Sequence, residues 1–315
     1  MIKYVLKRSA MMMITFFIIM SLVYIVATVA NLDTWYRGYS KIEFIKMAIE
    51  NYFPYLKGIF TRFDFGMYYA NVSTLERVME EIPTTFKINL YAFIFYTVLG
   101  IVFGFISAYF HKSLLDKIIS YITLVLGSVP GYVTMLFLML YFGYKLGWFP
   151  GRFDPDPEGP YTFFQSITLP ILALSAVPIS RFTRILRGEL IETMGSEFLL
   201  LARAKGLNKK QVMFRHALKN SLIPMITEIP MTFSLVLSMS FIIEITYNIR
   251  GAAFLLYESF ITPSLDGNYL SIDVETSFVI CGFYVGMVMI LTLISDLSYA
   301  LIDPRMRMGQ KKTKV

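Results

Sequence analysis

The sequence predicts an all-α, polytopic membrane protein with six transmembrane helices. Of its 315 residues 56% are hydrophobic and only 16% charged, and the mean hydropathy is +0.59, which excludes an ordinary soluble globule. Six stretches approach or exceed the roughly 20 apolar residues that cross a bilayer: Ser9 to Ala30, Thr84 to Phe110, Ile118 to Tyr144, Phe163 to Phe182, Ile223 to Tyr247 and Ser277 to Leu301. The basic residues cluster on alternate connections, which gives the bundle a direction.

The first stretch follows Lys3, Lys7 and Arg8, as a secretory signal would. Its apolar length exceeds the ~7–15 residue core of such signals, and no small-x-small cleavage site follows, so it reads as a helix. Residues 31–83 form a mixed extracytoplasmic segment with amphipathic stretches, in which Leu75 to Ile82 predicts a short helix ended by Pro83. The third stretch, Ile118 to Tyr144, is one span. After it, Gly147 to Gly151 and Asp154 to Pro160 are rich in turn formers and predict a non-helical connection. Tyr144 and Trp148 suit an interfacial aromatic belt. Pro130, Pro170, Pro178 and Pro230 fall in or near spans, where each permits a kink; gating pivots and passive kinks remain equal alternatives.

Even numbers of spans place both termini on one side. That side carries Lys3, Lys7 and Arg8, then Lys112 and Lys117, then Arg181, Arg184, Arg187 and the basic residues from 203 to 219, and finally the Lys-rich tail. By the positive-inside tendency it is cytoplasmic. The opposite connections carry acids, among them Asp64, Glu80, Asp154 and Glu275. Topology therefore accounts for the formal charge of +7, with no nucleic acid needed. Cys281 is the one cysteine, which excludes an internal disulfide. His111 and His216 lack the neighbours of a zinc or iron site, so no metal is expected.

The most informative segment is the polar, basic run between the fourth and fifth stretches. Ser196 can cap a first short helix, Glu197 suits its positive end and Lys205 its negative end, and Gly206 with Leu207 has the form of a glycine C-cap. Asn208 can cap a second helix, with Gln211 at the capping-box position; this helix runs through Val212, Phe214, Ala217 and Leu218 until Pro224 limits it. The result is a two-helix knob bent at one glycine.

The runs Ala202-Arg203-Ala204-Lys205-Gly206-Leu207 and Arg215-His216-Ala217-Leu218-Lys219-Asn220 closely resemble the coupling loop of ABC importer permeases, in the branch that imports oligopeptides, dipeptides and nickel chelates. Phe65-Gly66-Met67-Tyr68, Gly147 to Pro150, and Asp296 followed by Asp303-Pro304-Arg305 are similar to further boxes of that family. The chain departs from the family pattern at Lys219, at Arg250 and Ala253, and at Asp273-Val274-Glu275. The resemblance implies the type I importer permease fold, divided into residues 1–30, an outer segment 31–83, a core 84–303 with a coupling loop at 187–222, and a tail 304–315. It also implies a setting in the inner or plasma membrane of a prokaryote, among lipid. It implies a second homologous permease subunit, two cytoplasmic ATPase subunits that bind ATP and Mg²⁺, and an extracytoplasmic solute-binding protein. Ser196, Glu197, Ala202 to Leu207, Arg215, His216 and Asn220 would take up force from the ATPases.

Glu228, Glu244 and Asp296 lie within apolar stretches, where a charge at the bilayer centre costs about 2.5–3.5 kcal/mol on insertion scales. Glu228 and Glu244 are candidates for the translocation path, and Asp296 reads as structural. The chain has no Gly-x-x-x-x-Gly-Lys-Ser/Thr loop and no His-Glu-x-x-His, so it is expected to be a transport subunit and no enzyme, with energy supplied from elsewhere. Nickel chelates, opines or sugars are the rival cargoes. An intramembrane hydrolase using Asp296 or Glu244, and an ATP-independent channel or scaffold, are the rival classes.

Overall fold

The computed structural model describes residues 2–35, 40–68, 72–154, 161–197, 199, 204, 206–263 and 270–302. The helices are α1 (Ile2–Trp35), α2 (Lys41–Arg62), α3 (Thr74–Tyr109) and α4 (Leu114–Ser128), followed by α5 (Gly131–Lys145) and α6 (Phe163–Met194). Then come α7 (Lys209–Tyr247), α8 (Ala252–Phe260) and α9 (Val274–Ile302). Two-residue strands pair antiparallel as β1 (Met67–Tyr68) with β2 (Val72–Ser73), and β3 (Thr262–Pro263) with β4 (Leu270–Ser271). Among the described residues, five helices are long and apolar enough to cross a membrane, or six if α4 and α5 count as one broken span.

Residues 1–87 with 244–290 form one compact unit, and residues 88–243 with 291–315 another. In the first, α2 packs along α1. Tyr24, Tyr52 and Phe278 gather around Met20, with the Tyr24 and Tyr55 rings stacked at 5.2 Å. Ser40 opens α2 with a full capping box to Glu43, and the Ser40 N–H holds that exposed carboxyl below the usual carboxylate range. Gly66 sits at φ +89°, and a Cβ there would strike the Glu275 carboxylate. That same carboxylate accepts the Met67 N–H at 3.0 Å. Glycine is therefore required at this position for both its backbone angle and its lack of side chain.

In the second unit α4 and α5 pack on α6, and Tyr96 meets Phe182 edge to face at 5.4 Å. Gly100 and Gly104 let α3 approach α6. A Cβ on Gly100 would lie 2.5 Å from the Phe182 Cβ, and one on Gly104 2.9 Å from the Leu186 Cβ. This spacing is the small-xxx-small device of membrane helices, where close backbone approach replaces the hydrophobic drive that lipid cannot supply.

The prolines depart from expectation in both directions. Pro83 and Pro224 end nothing, since α3 runs through Pro83 and α7 through Pro224 and Pro230. A long apolar run follows each of Pro83 and Pro224, and the helices stay continuous through the prolines, as membrane helices allow. The predicted third span is instead broken, and α4 and α5 meet at 100°. Val129 is extended, at φ −82° and ψ 126°, and Pro130 starts α5 without a side-chain cap. This is what proline imposes on its predecessor when the helix yields. The helix α2 was unexpected as a single element, and α6 extends beyond Phe182 to Met194, carrying Arg181, Arg184 and Arg187 on helical turns.

Gly104→Leu should overpack the α3–α6 contact and lower stability by about 1–3 kcal/mol. Thermal melting of the detergent-solubilised protein checks this, with Gly188→Leu, where a Cβ meets nothing, as the tolerant control.

Candidate functional site

The knob begins where α6 stops. Gly195 and Ser196 donate their N–H groups to Glu192 O and Thr193 O, each at 3.0 Å. The Ser196 hydroxyl donates back to Thr193 O at 2.5 Å, which closes α6; the cap it was expected to give the next helix involves residues outside the described ones. The Ser196 carbonyl then accepts the Leu199 N–H at 3.1 Å, starting the next turn next to Glu197. Ala204 is helical and exposed. Ala202, Arg203 and Lys205 lie outside the described residues. Gly206 has φ +87° with open space around its missing Cβ, the left-handed turn expected of a glycine after a helix. Leu207 is half-buried.

Asn208 caps α7 as expected. Its side chain accepts the Gln211 N–H at 2.8 Å, and its own N–H donates to Gln211 Oε1 at 3.1 Å. A π-helical turn, Met213–Ala217, follows. Val212, Met213 and Ala217 are fully buried, while Arg215, His216 and Asn220 are exposed. Three contacts fix the base of the knob within the second unit. Lys209 Nζ donates to Tyr109 O at 2.6 Å, Phe214 lies 4.5 Å from Phe105 ring to ring, and Ser221 donates to the Thr193 hydroxyl at 3.0 Å.

Beside this base lies a buried charge cluster that the sequence reading missed. Asp116, 3% exposed, accepts two bonds from Arg187, Nε to Oδ1 at 2.7 Å and Nη2 to Oδ2 at 2.9 Å. Ser107 adds a bond at 2.6 Å, and the Lys112 N–H adds another at 2.9 Å. The fork of Arg187 matches the carboxylate, and the remaining lone pairs are filled, which is the condition for a low-dielectric ion pair to hold. Together the contacts tie α3, α4 and α6 at the end where the knob emerges.

The two path candidates fall in different units. Glu228 pairs with Arg181 between α7 and α6, with side chains 12% and 37% exposed. The sequence had counted Arg181 only as a marker of topology. Glu244 is 1% exposed, and its Oε2 accepts the N–H groups of Ala253 at 2.9 Å and Phe254 at 3.2 Å. Thr85 accepts the Ala252 N–H at 2.9 Å. The first three amide groups of α8, which a helix leaves unsatisfied, are thus held by two side chains from other helices. A Cβ on Gly251 would come within 2.5 Å of Glu244 Oε2 and 2.6 Å of Thr85 Oγ1. Among the described residues, no three His, Cys, Asp or Glu side chains are grouped as metal ligands. Asp303, Arg305 and Arg307 lie outside the described residues.

Arg187→Met should cost about 3–5 kcal/mol, because it leaves Asp116 buried and uncompensated. The double variant Asp116→Leu/Arg187→Met should recover much of that loss, and a double-mutant cycle on melting temperature measures the difference. Glu244→Ala should cost about 1–3 kcal/mol through the orphaned amides of α8, read in the same assay.

Residues 100–308 match the family described as the binding-protein-dependent transport system inner membrane component. The chain is 33% identical to the dipeptide transport system permease protein DppB of Lactococcus lactis subsp. cremoris, over 98% of this chain and 100% of that protein. It is 28% identical to the oligopeptide transport system permease protein OppB of Haemophilus influenzae, again over 98% and 100%. Among solved structures, a chain of the inward-facing MetNI methionine ABC transporter matches with a TM-score of 0.55 at 14% identity, over 73% of this chain and 98% of that one. That likeness is one of fold. With the family matched across two thirds of its length and a relative aligned end to end, this chain belongs to the binding-protein-dependent transport system inner membrane components.

Proposed function

We propose that this chain is the permease subunit of an ATP-driven importer of short peptides. The observation that carries this reading is its end-to-end likeness to dipeptide and oligopeptide permeases. The exposed polar surface around Gly206, Arg215, His216 and Asn220 supports it further.

In this reading the knob faces the cytoplasm with both termini, the side to which the positive-inside tendency assigns the basic residues. It docks on one of two ATPase subunits, which bind ATP and Mg²⁺ and supply the energy. A second, similar permease completes the membrane path, and an extracytoplasmic solute-binding protein delivers the cargo. Residues 84–303 are the core, with residues 187–222 as its coupling loop. Within that loop Ser196, Glu197, Ala202 to Leu207, Arg215, His216 and Asn220 face or shape the docking surface.

The residues give this scheme a mechanical basis. Gly206 sets the direction in which α7 leaves the knob, and Asn208 with Gln211 makes the first turn of α7 rigid. Lys209, Phe214 and Ser221 bind the base of the knob to α3 and α6. A push on the knob therefore reaches the second unit through these three contacts.

Gly206→Asp tests the reading. A Cβ and a charge at a left-handed position strain the turn by about 1–2 kcal/mol. Peptide uptake should fall at least tenfold while membrane insertion and co-purification of the second permease persist. Normal uptake by this variant would remove the knob from the mechanism.

A further inference from the structure

We propose that a groove in the first unit holds one acyl chain of a membrane phospholipid, seated between α1, α2, α3 and α9. The inference uses the membrane setting of the family and goes beyond the peptide-importer reading, on which it does not depend.

The groove measures about 410 Å³. Two packed clusters give it its walls. In one, Tyr24, Tyr52 and Phe278 close around Met20; in the other, Val78 of α3 packs with Ile280 of α9 and with Ala252 and Leu255 of α8. Further wall residues are Met13 and Phe17 of α1, Phe60 of α2, Met79 and Ile82 of α3, and Phe283 of α9. The lining side chains carry one hydroxyl, that of Tyr52, and it is already engaged with Ser21 at 2.8 Å.

The groove is open at its rim, where Phe17, Phe60 and Met79 are 38%, 66% and 56% exposed. Phe17 also belongs to an exposed apolar face of α1 that includes Ile14, Ile18 and Leu22. That face lies within Val5–Ala30, and Phe283 lies within Val274–Ser298, both long and apolar enough to cross a membrane. In a bilayer the groove therefore opens onto hydrocarbon.

Water finds no partner there, and apolar cavities of about 150 Å³ already stay dry. A helix of another subunit, about 10–12 Å across with a 5.4 Å pitch, would exhaust the space in roughly one turn. An extended peptide would strand its N–H and C=O groups against apolar walls. An acyl chain has no polar group to strand and is thin enough to lie along the helices. Lipid tails are as apolar as leucine, so what favours the groove over open bilayer is packing: the chain fills a void that would otherwise cost the walls their contacts. Met13, Met20 and Met79 all line the groove. Flexible thioethers adapt to irregular shapes, so the site accepts chains of differing length and unsaturation and reads no particular headgroup.

The test places the assembled importer in nanodiscs of phosphatidylethanolamine and phosphatidylglycerol, with a trace of phospholipid bearing a diazirine on one acyl chain. After irradiation, adducts are mapped by mass spectrometry. Wild type should be labelled at Phe16, Phe60 and Met79, which belong to three helices of the groove, as well as at Ile18 and Leu22 on the open face. Leu75→Trp and Val279→Phe enlarge two other wall residues; each should lower labelling at the three groove positions about fivefold and leave Ile18 and Leu22 unchanged. Comparing each position with itself removes differences in residue reactivity. Labelling of wild type confined to Ile18 and Leu22 would overturn the proposal, and that map decides even if neither variant reaches the membrane. Groove labelling that both variants leave unchanged would overturn it too. So would groove labelling seen in the isolated chain and lost in the assembled importer, since a protein partner would then cover the site. None of these outcomes touches the importer reading, which peptide uptake tests separately.

Discussion

The packed interior of a helix bundle offers no water to a stranded charge or to an open helix end, and the polar features of this chain are arranged under that constraint. Asp116 is buried because Arg187 meets it with two bonds while Ser107 and the Lys112 amide fill its other positions. The start of α8 is tolerated because Glu244 and Thr85 reach its first amides. Glu228 has Arg181. In each case the partner comes from a different helix, so satisfying the polar group also fixes how helices pack. In a bilayer this polar pairing, together with close approach at small residues such as Gly100 and Gly104, does the work that apolar burial does in water.

What could be read from the sequence follows from the range of the interactions concerned. The capping box of Asn208 and Gln211, and the left-handed turn at Gly206, are local, and both appear in the structure where residue type and spacing placed them. The proline outcomes are not local. Pro83, Pro130 and Pro224 share one chemistry, yet only Pro130 breaks a span. The difference lies in what surrounds each, and a single sequence does not display that. Arg181 was legible as a positive charge near a membrane boundary, but its partner lies on another helix, 47 positions later in the chain. Glu244 was legible as an acid in an apolar run, whereas its engagement with the amides of α8 depends on a turn of backbone between them. The Gly100 and Gly104 pair was a visible signal of helix contact, and could have been used.

The knob and the charge cluster occupy the same end of the second unit, and this bears on how force would travel. The base of the knob grips Tyr109 and Thr193, while Asp116 joins the turn after α3 to Arg187 on α6. Both fastenings act on the same two helix ends. Displacement of the knob would therefore move α3 and α6 as a pair, with the ion pair preserving their registry. A looser loop would bend at its own root and leave the helices where they were.

The π-helical turn at Met213–Ala217 has a consequence for how this chain tolerates insertion and deletion. An α-helix advances about 100° per residue, so a turn that accommodates one residue too many acts as a phase corrector between the surface upstream and the membrane-buried face downstream. Loss of a single amino acid there would leave the helix intact and the hydrophobicity unchanged, yet would rotate Asn208 to Val212 about the axis relative to everything beyond. That rotation would turn Val212, now fully buried, out of the packed interior and carry Lys209 away from Tyr109 O, so a lineage losing that residue would have to rebuild both contacts.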